Sequence, residues 1–196
     1  MRPPNPFRVP AAALLIAFTL SAPVLAGANA ADRLAAITIA NFGQVSDIYY
    51  RGAQPTGHDF ADLKAIGVKT IIDLTDEDGK GVDARHAGLN FFQIPMSSTS
   101  APSSAQVDQF LSIVNNPTYQ PVYVHCKGGR HRTGTLTAVY RMANEGWTPD
   151  RAYEEMLKYD FDYGFGHGGQ KKFVFAYGTA IAHKAAPVVT RASTQQ

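Results

Sequence analysis

Cysteine is almost missing from this chain: Cys126 is the only one in 196 residues. One thiol excludes an internal disulfide framework. Histidines are few as well. His58, His86, His167 and His183 stand apart without metal-ligand spacing, and His125 and His131 share one short segment. No metal site is expected from that pattern. No apolar run reaches the ~20 residues that cross a bilayer. Excess charge is also lacking, with 18 Lys plus Arg against 16 Asp plus Glu. Arg2 and Arg8 lie in the first thirty residues, which carry no acid, so the remainder holds 16 of each sign. Charge-driven binding to nucleic acid or to an anionic membrane surface is therefore not expected. Repeats and low-complexity tracts are absent. One further gap matters below: no carboxylate occurs between Asp83 and Asp108.

What is present divides into three parts. Residues 1–30 combine a positive start, an apolar stretch over 11–25 and two small-residue exits, Val24-Leu25-Ala26 and Ala28-Asn29-Ala30. These are the parts of a secretory signal. Pro23 and the short apolar stretch argue against a membrane anchor. Cleavage is expected after Ala26 or Ala30, with Ala30 preferred, and the protein is expected to be exported. The whole chain has ordinary globular composition, 45% hydrophobic and 17% charged, and residues 31–184 form one domain. Residues 185–196 read as a loose tail.

Within the domain, strand and helix signals alternate. Residues 31–46 read as an irregular lead-in. Strands are predicted at 48–50, 68–74, 91–95 and 121–125, with a polar loop over 75–81. Helices are predicted at 57–66, from Ser103 or Ser104 to about 114, at 133–145, at 149–158 and at 170–183. Thr148-Pro149-Asp150 is a cap with proline at the first helical position. Gly146 stands where a left-handed helix stop is favoured. Such alternation predicts an α/β fold, with a mostly parallel central sheet flanked by helices. Ligands in these sheets sit beyond the carboxyl ends of strands.

The strand at 121–125 ends where the chemistry is concentrated. Residues 125–134 read His-Cys-Lys-Gly-Gly-Arg-His-Arg-Thr-Gly. Gly128 and Gly129 let the backbone turn tightly and approach an anion. Successive N–H groups then converge on its oxygens, and the following helix start adds donors and partial positive charge. The same field favours ionisation of Cys126, turning a weak thiol into a nucleophile. Arg132 offers a planar fork to two phosphoryl oxygens. Thr133 can donate its hydroxyl to the sulfur. Lys127, Arg130 and His131 complete a phosphate-binding set with Gly128, Gly129 and Arg132. His125 suits orientation of the loop better than proton abstraction. Arg51 is read as a structural hydrogen-bond donor. The aromatic and glycine-rich segment 159–169 is read as a packed turn.

The segment His125–Gly134 resembles the His-Cys-x5-Arg-Ser/Thr signature of the protein tyrosine and dual-specificity phosphatase superfamily. It is most similar to the atypical dual-specificity group of plants, fungi and bacteria. Tyr50-Arg51-Gly52-Ala53-Gln54-Pro55, Ile71-Ile72-Asp73-Leu74 and the block from Thr133 through Met156 extend the likeness over residues 48–182. The resemblance implies a cysteinyl-phosphate intermediate, no metal and no cofactor. The implied partners are phosphorylated proteins or small phosphorylated molecules. Its bacterial flavour points to a periplasm.

One element departs from the group. Its members usually carry a proton-donating aspartate on the loop after the strand predicted at 91–95, here residues 96–103, which hold no acid. A general acid contributes about 10²–10⁴ in rate. Asp76, Glu77 or Asp78 can supply it from another loop, or the leaving group needs none; Asp108 falls on a polar helix face. A phosphate-binding module with little turnover stays open on the same ground. Arsenate reduction needs further cysteines, and sulfur-transfer loops lack the Arg-Thr pair.

Overall fold

The structure is a computed structural model that describes residues 29–77, 81–162 and 166–185. Residues 1–28, Asp78 and the tail from 186 lie outside the described residues. No described helix is long and apolar enough to cross a membrane.

Five strands form one sheet: β1 (Gly43–Ser46), β2 (Tyr49–Gly52), β3 (Thr70–Asp73), β4 (Asn90–Gln93) and β5 (Val122–His125). Their order is β1-β2-β5-β3-β4. Only β1 runs antiparallel, to β2; the other pairings are parallel. Every residue of β2, β3 and β5 is buried. Parallel strands covered on both faces require this, and it explains their continuous apolar runs. β5 lies at the centre, so the loop leaving it emerges at the middle of the sheet's carboxyl edge.

Helices α1 (Ala30–Ala35), α2 (Asp59–Ala65) and α3 (Gly81–His86) precede α4 (Ser104–Val114), α5 (His131–Glu145), α6 (Pro149–Lys158) and α7 (Gly168–Ala185). On one face, Phe60 and Leu63 of α2 pack with Ile71 and Tyr123. On the other, Phe110 and Val114 of α4 and Leu136 and Val139 of α5 cover Ile72, Val122 and Val124. Met142 of α5 packs with Ala152 and Met156 of α6 and with Val174 of α7.

Residues 132–142 of α5 are all buried, polar ones included. A helix surrounded by protein must satisfy its polar groups internally. Thr135 bonds back to the His131 carbonyl at 2.8 Å, and Thr137 meets the Tyr49 hydroxyl at 2.9 Å. Arg141 pairs with Glu155 at 2.6 Å and Glu145 at 2.7 Å. Its Nη1 also donates to the Val45 carbonyl at 2.9 Å.

The expected caps are present. Ser103 and Gln106 form a capping box at α4, Thr148 caps α6, and Gly146 ends α5 at φ +67°. The lead-in is not irregular as expected: it contains α1 and β1. β1 buries only Val45, so it shows little alternation and exists through pairing with β2. α1 buries nothing and is held by the Asn29–Asp32 capping box. α3 was not predicted after the polar loop; it buries only Gly81 and Ala84, too little for a periodic signal. α5 begins two residues before the predicted Thr133.

Phe110 is fully buried against the Tyr49 ring, with centroids 6.2 Å apart. Phe110→Ala is expected to cost about 3–5 kcal/mol. The check is a lower urea midpoint at unchanged slope.

Candidate active site

The chain leaves β5 at His125, turns through 126–130 and enters α5 at His131. Arg130 occupies the helix-cap position without a side-chain capping bond. The first N–H groups of α5 therefore remain available to the loop. Cys126 lies at the bottom of this turn and is buried.

Three successive loop carbonyls are tied from outside. The Gln54 amide donates to the Lys127 carbonyl at 3.3 Å. Asn41 Nδ2 donates to the Gly128 carbonyl at 2.9 Å. Arg51 Nη2 donates to the Gly129 carbonyl at 2.5 Å. With the oxygens turned outward, the amides of the loop can converge on its interior, as anion binding needs. Gly129 makes this possible with φ +67°, in contact with the backbone of Gly52 and Ala53. A β-carbon there would lie 2.6 Å from the Ala53 nitrogen.

The electrostatic result falls on the sulfur. Burial pushes the Cys126 thiol up. The Thr133 hydroxyl and N–H, the Arg132 guanidinium and the Gly129 N–H pull it down, and the balance lies below the ordinary value. The buried Thr133 hydroxyl has no other hydrogen-bond partner. Arg132 is itself buried, with Nη1 donating to the Met96 carbonyl at 3.2 Å and the Leu74 carbonyl at 3.4 Å. Those carbonyls follow β4 and β3, so the sheet edge aims the guanidinium.

The remaining cations differ in placement. Lys127 is exposed, and no ion pair or side-chain hydrogen bond engages it among the described residues. Arg130 is turned to Asp160 at 3.9 Å. His131 stacks on His167 with centroids 3.6 Å apart and meets the Asp162 carbonyl at 3.1 Å. Burial and then His167 lower its pKa. The side chains of Arg130 and His131 thus flank the loop rather than fill it. His125 Nδ1 lies 3.8 Å from the buried Asp73 carboxylate, which also accepts from the Thr75 N–H at 2.7 Å and hydroxyl at 3.0 Å. This agrees with an orienting role.

From the loop at 96–103, the Met96 carbonyl accepts from Arg132. Gln170 pins the loop by donating to the Ser98 and Ser100 carbonyls at 3.2 and 3.3 Å. Among the expected acids, Asp76 lies 3.9 Å from Arg132 Nη1 and is exposed. The Glu77 carbonyl accepts from Gln93 at 2.8 Å. Asp108 is exposed on α4. His58 gathers Asp59 and Asp62 at 3.9 and 3.7 Å on the surface of α2, a grouping that spacing alone did not suggest. Asp160, Asp162 and His167 contact Arg130 and His131, so this segment borders the phosphate loop, where a packed turn was the favoured expectation. Stacking and a backbone acceptor leave no pattern in composition.

A buried, acidified thiol in a turn of converging amides, six residues before an arginine, defines a cysteine-dependent phosphatase site on this sheet. The family described as "DSP-PTPase phosphatase fused to NAD+ Kinase" matches residues 35–174, and the chain belongs to it. The dual specificity protein phosphatase TpbA of Pseudomonas aeruginosa UCBPP-PA14 is 34% identical over 162 residues, covering 76% of this chain and 71% of that protein. The inositol diphosphatase SIW14 of Saccharomyces cerevisiae is 29% identical over 129 residues, covering 62% and 46%. A crystal structure of a Cys-to-Ser variant of P. aeruginosa TpbA in complex with phosphotyrosine has 26% identity and a TM-score of 0.62, over 72% of this chain and 90% of that one. The protein is a phosphomonoester hydrolase of the tyrosine/dual-specificity type.

Gly129→Ala is expected to abolish oxyanion binding, because left-handed backbone and a backbone collision both oppose it. Vanadate should raise the melting temperature of the wild type and leave that of the variant unchanged.

Proposed function

We propose that Cys126 attacks phosphorus as a thiolate, forming an S–P bond as the P–O ester bond breaks. Arg132 and the loop amides bind the equatorial oxygens and their transition-state charge. Water then attacks the cysteinyl phosphate, the S–P bond breaks, and Thr133 donates to the departing thiolate. The observation that carries this reading is the placement of Cys126, buried among the Thr133 hydroxyl, the Thr133 and Gly129 N–H groups and the Arg132 guanidinium, all of which favour the thiolate. Asp76, 3.9 Å from Arg132, is the carboxylate best placed to protonate an alkoxide leaving group. An aryl leaving group departs without that help.

The substrate is a phosphotyrosine or phosphoserine/threonine protein. TpbA supports it, since its solved structure holds phosphotyrosine. One observation favours a second reading, an inositol polyphosphate: Lys127 is an exposed loop cation with no side-chain partner among the described residues, suited to a further phosphate.

An assay panel of p-nitrophenyl phosphate, phosphopeptides and inositol polyphosphates tests all of this. Cys126→Ser is expected to remove turnover of every substrate; equal rates for it and the wild type would end the phosphatase mechanism. Asp76→Asn is expected to slow alkyl esters by about 10²–10⁴ and aryl esters little. Equal slowing of both, or of neither, removes Asp76 from the proton-donor role.

The protein is exported, to a periplasm, and its signal lies within residues 1–30. Asn29 caps α1, and only a cut after Ala26 leaves that cap in the mature chain. This supports Ala26 over Ala30. N-terminal sequencing of the exported protein should begin at Gly27; Ala31 would favour the other site, and an intact terminus would exclude a cleaved signal.

A further inference from the structure

Arg51 carries more charge than its contacts use. It sits on β2 opposite Val124 of β5 and is fully buried. One nitrogen, Nη2, grips the Gly129 carbonyl. Nε and Nη1 are buried without any hydrogen-bond partner. No carboxylate forms an ion pair with it among the described residues. The Tyr159 ring lies 3.9 Å from the guanidinium carbon.

A buried, unpaired cation is among the costliest groups a fold can hold. Tying down a carbonyl does not require one. The neighbouring carbonyls of Lys127 and Gly128 are held by neutral donors, the Gln54 amide and the Asn41 side chain. A neutral donor at position 51 would serve Gly129 as well. The charge itself must therefore have a use. The negative group that the fold builds beside Gly129 is the Cys126 sulfur, to which the Gly129 N–H bonds on the inner side of the same peptide turn.

We propose that Arg51 is a positioning residue of the phosphatase reaction, a buried unpaired guanidinium that holds Gly129 and stabilises from behind the negative charge of Cys126 and of its phosphoryl adduct. The Tyr159 ring covers the cation and excludes water, which keeps its field strong. Burial lowers the Arg51 pKa first, with Tyr49, Tyr159, Glu155 and Cys126 opposing; an arginine stays protonated throughout the working range. The inference rests on Cys126 reacting as a thiolate. The other titratable and charged groups around the loop are Lys127 within it, Arg132 and Asp76 at its mouth, His125, Asp73 and Tyr123 on and beside β5, and Arg130 and His131 on the flank; Tyr49 and Glu155 face Arg51 itself.

The test is the pH dependence of Cys126 alkylation by iodoacetamide in the wild type, Arg51→Lys and Arg51→Met. The wild-type midpoint should lie below that of a free thiol. In Arg51→Met it should rise by about one pH unit, so that alkylation below both midpoints slows about tenfold. Arg51→Lys, which keeps the charge, should stay near the wild type. A folded Arg51→Met with an unchanged midpoint reduces Arg51 to a loop tie and overturns the proposal. A wild-type midpoint equal to that of free cysteine instead sinks the thiolate mechanism beneath it. Should Arg51→Met fail to fold, NMR of the wild type decides. The Arg51 Nε–H resonance must shift through the Cys126 titration and not shift in Cys126→Ser; a resonance indifferent to that titration overturns the proposal.

Discussion

An anion-binding loop must point its amides inward, and that is possible only if its carbonyls are held elsewhere. Here the carbonyls of Lys127, Gly128 and Gly129 are held by Gln54, Asn41 and Arg51. All three donors come from residues 41–54, far from the loop in sequence. Asn41 reaches it from a left-handed backbone conformation, φ 54°, which asparagine tolerates better than most side chains. Without these ties the loop's own oxygens would compete for the space that phosphate needs. The acidity of Cys126 follows from this arrangement, since the same inward amides face the sulfur.

The sheet supplies the rigidity behind it. β5 is central and buried on both faces, so Cys126 starts from a fixed point. α5 is held just as firmly, and its buried polar side chains are bonded through Tyr49, Glu145 and Glu155. Breaking such a buried pair leaves an uncompensated charge and is costly. The two elements that the loop joins therefore cannot drift apart, and a geometry suited to in-line displacement needs little reorganisation at the moment of reaction.

The mouth is built from less regular parts. The loop at 96–103 has no carboxylate and is anchored by Gln170 of α7. Asp160 and His167 close the flank through the Arg130–Asp160 pair and the His131–His167 stack. Arg130 and His131 are thereby used in holding protein to protein. Arg132 faces Asp76 at the mouth, while Lys127 is left exposed on the rim.

Much of this was legible in the sequence. The glycine pair, Cys126, Arg132 and Thr133 form a contiguous motif between a strand and a helix, and local spacing alone sets their mutual placement. Caps at Ser103, Thr148 and Gly146 are equally local. β1, α1 and α3 were not legible, because each buries one or two side chains at most and owes its existence to neighbours. The partners of the loop were illegible for the same kind of reason: Asn41, Arg51 and Gln54 meet it across 70 to 90 positions, and no periodicity records a contact made through space. The chain by itself determined the reacting groups and the alternation of those strands and helices that bury several side chains. Only the tertiary structure decided which carbonyls are tied, which cations are spent on the flank, and that Arg51 is buried without a counter-charge, because burial and pairing belong to the packed fold and not to any segment of it.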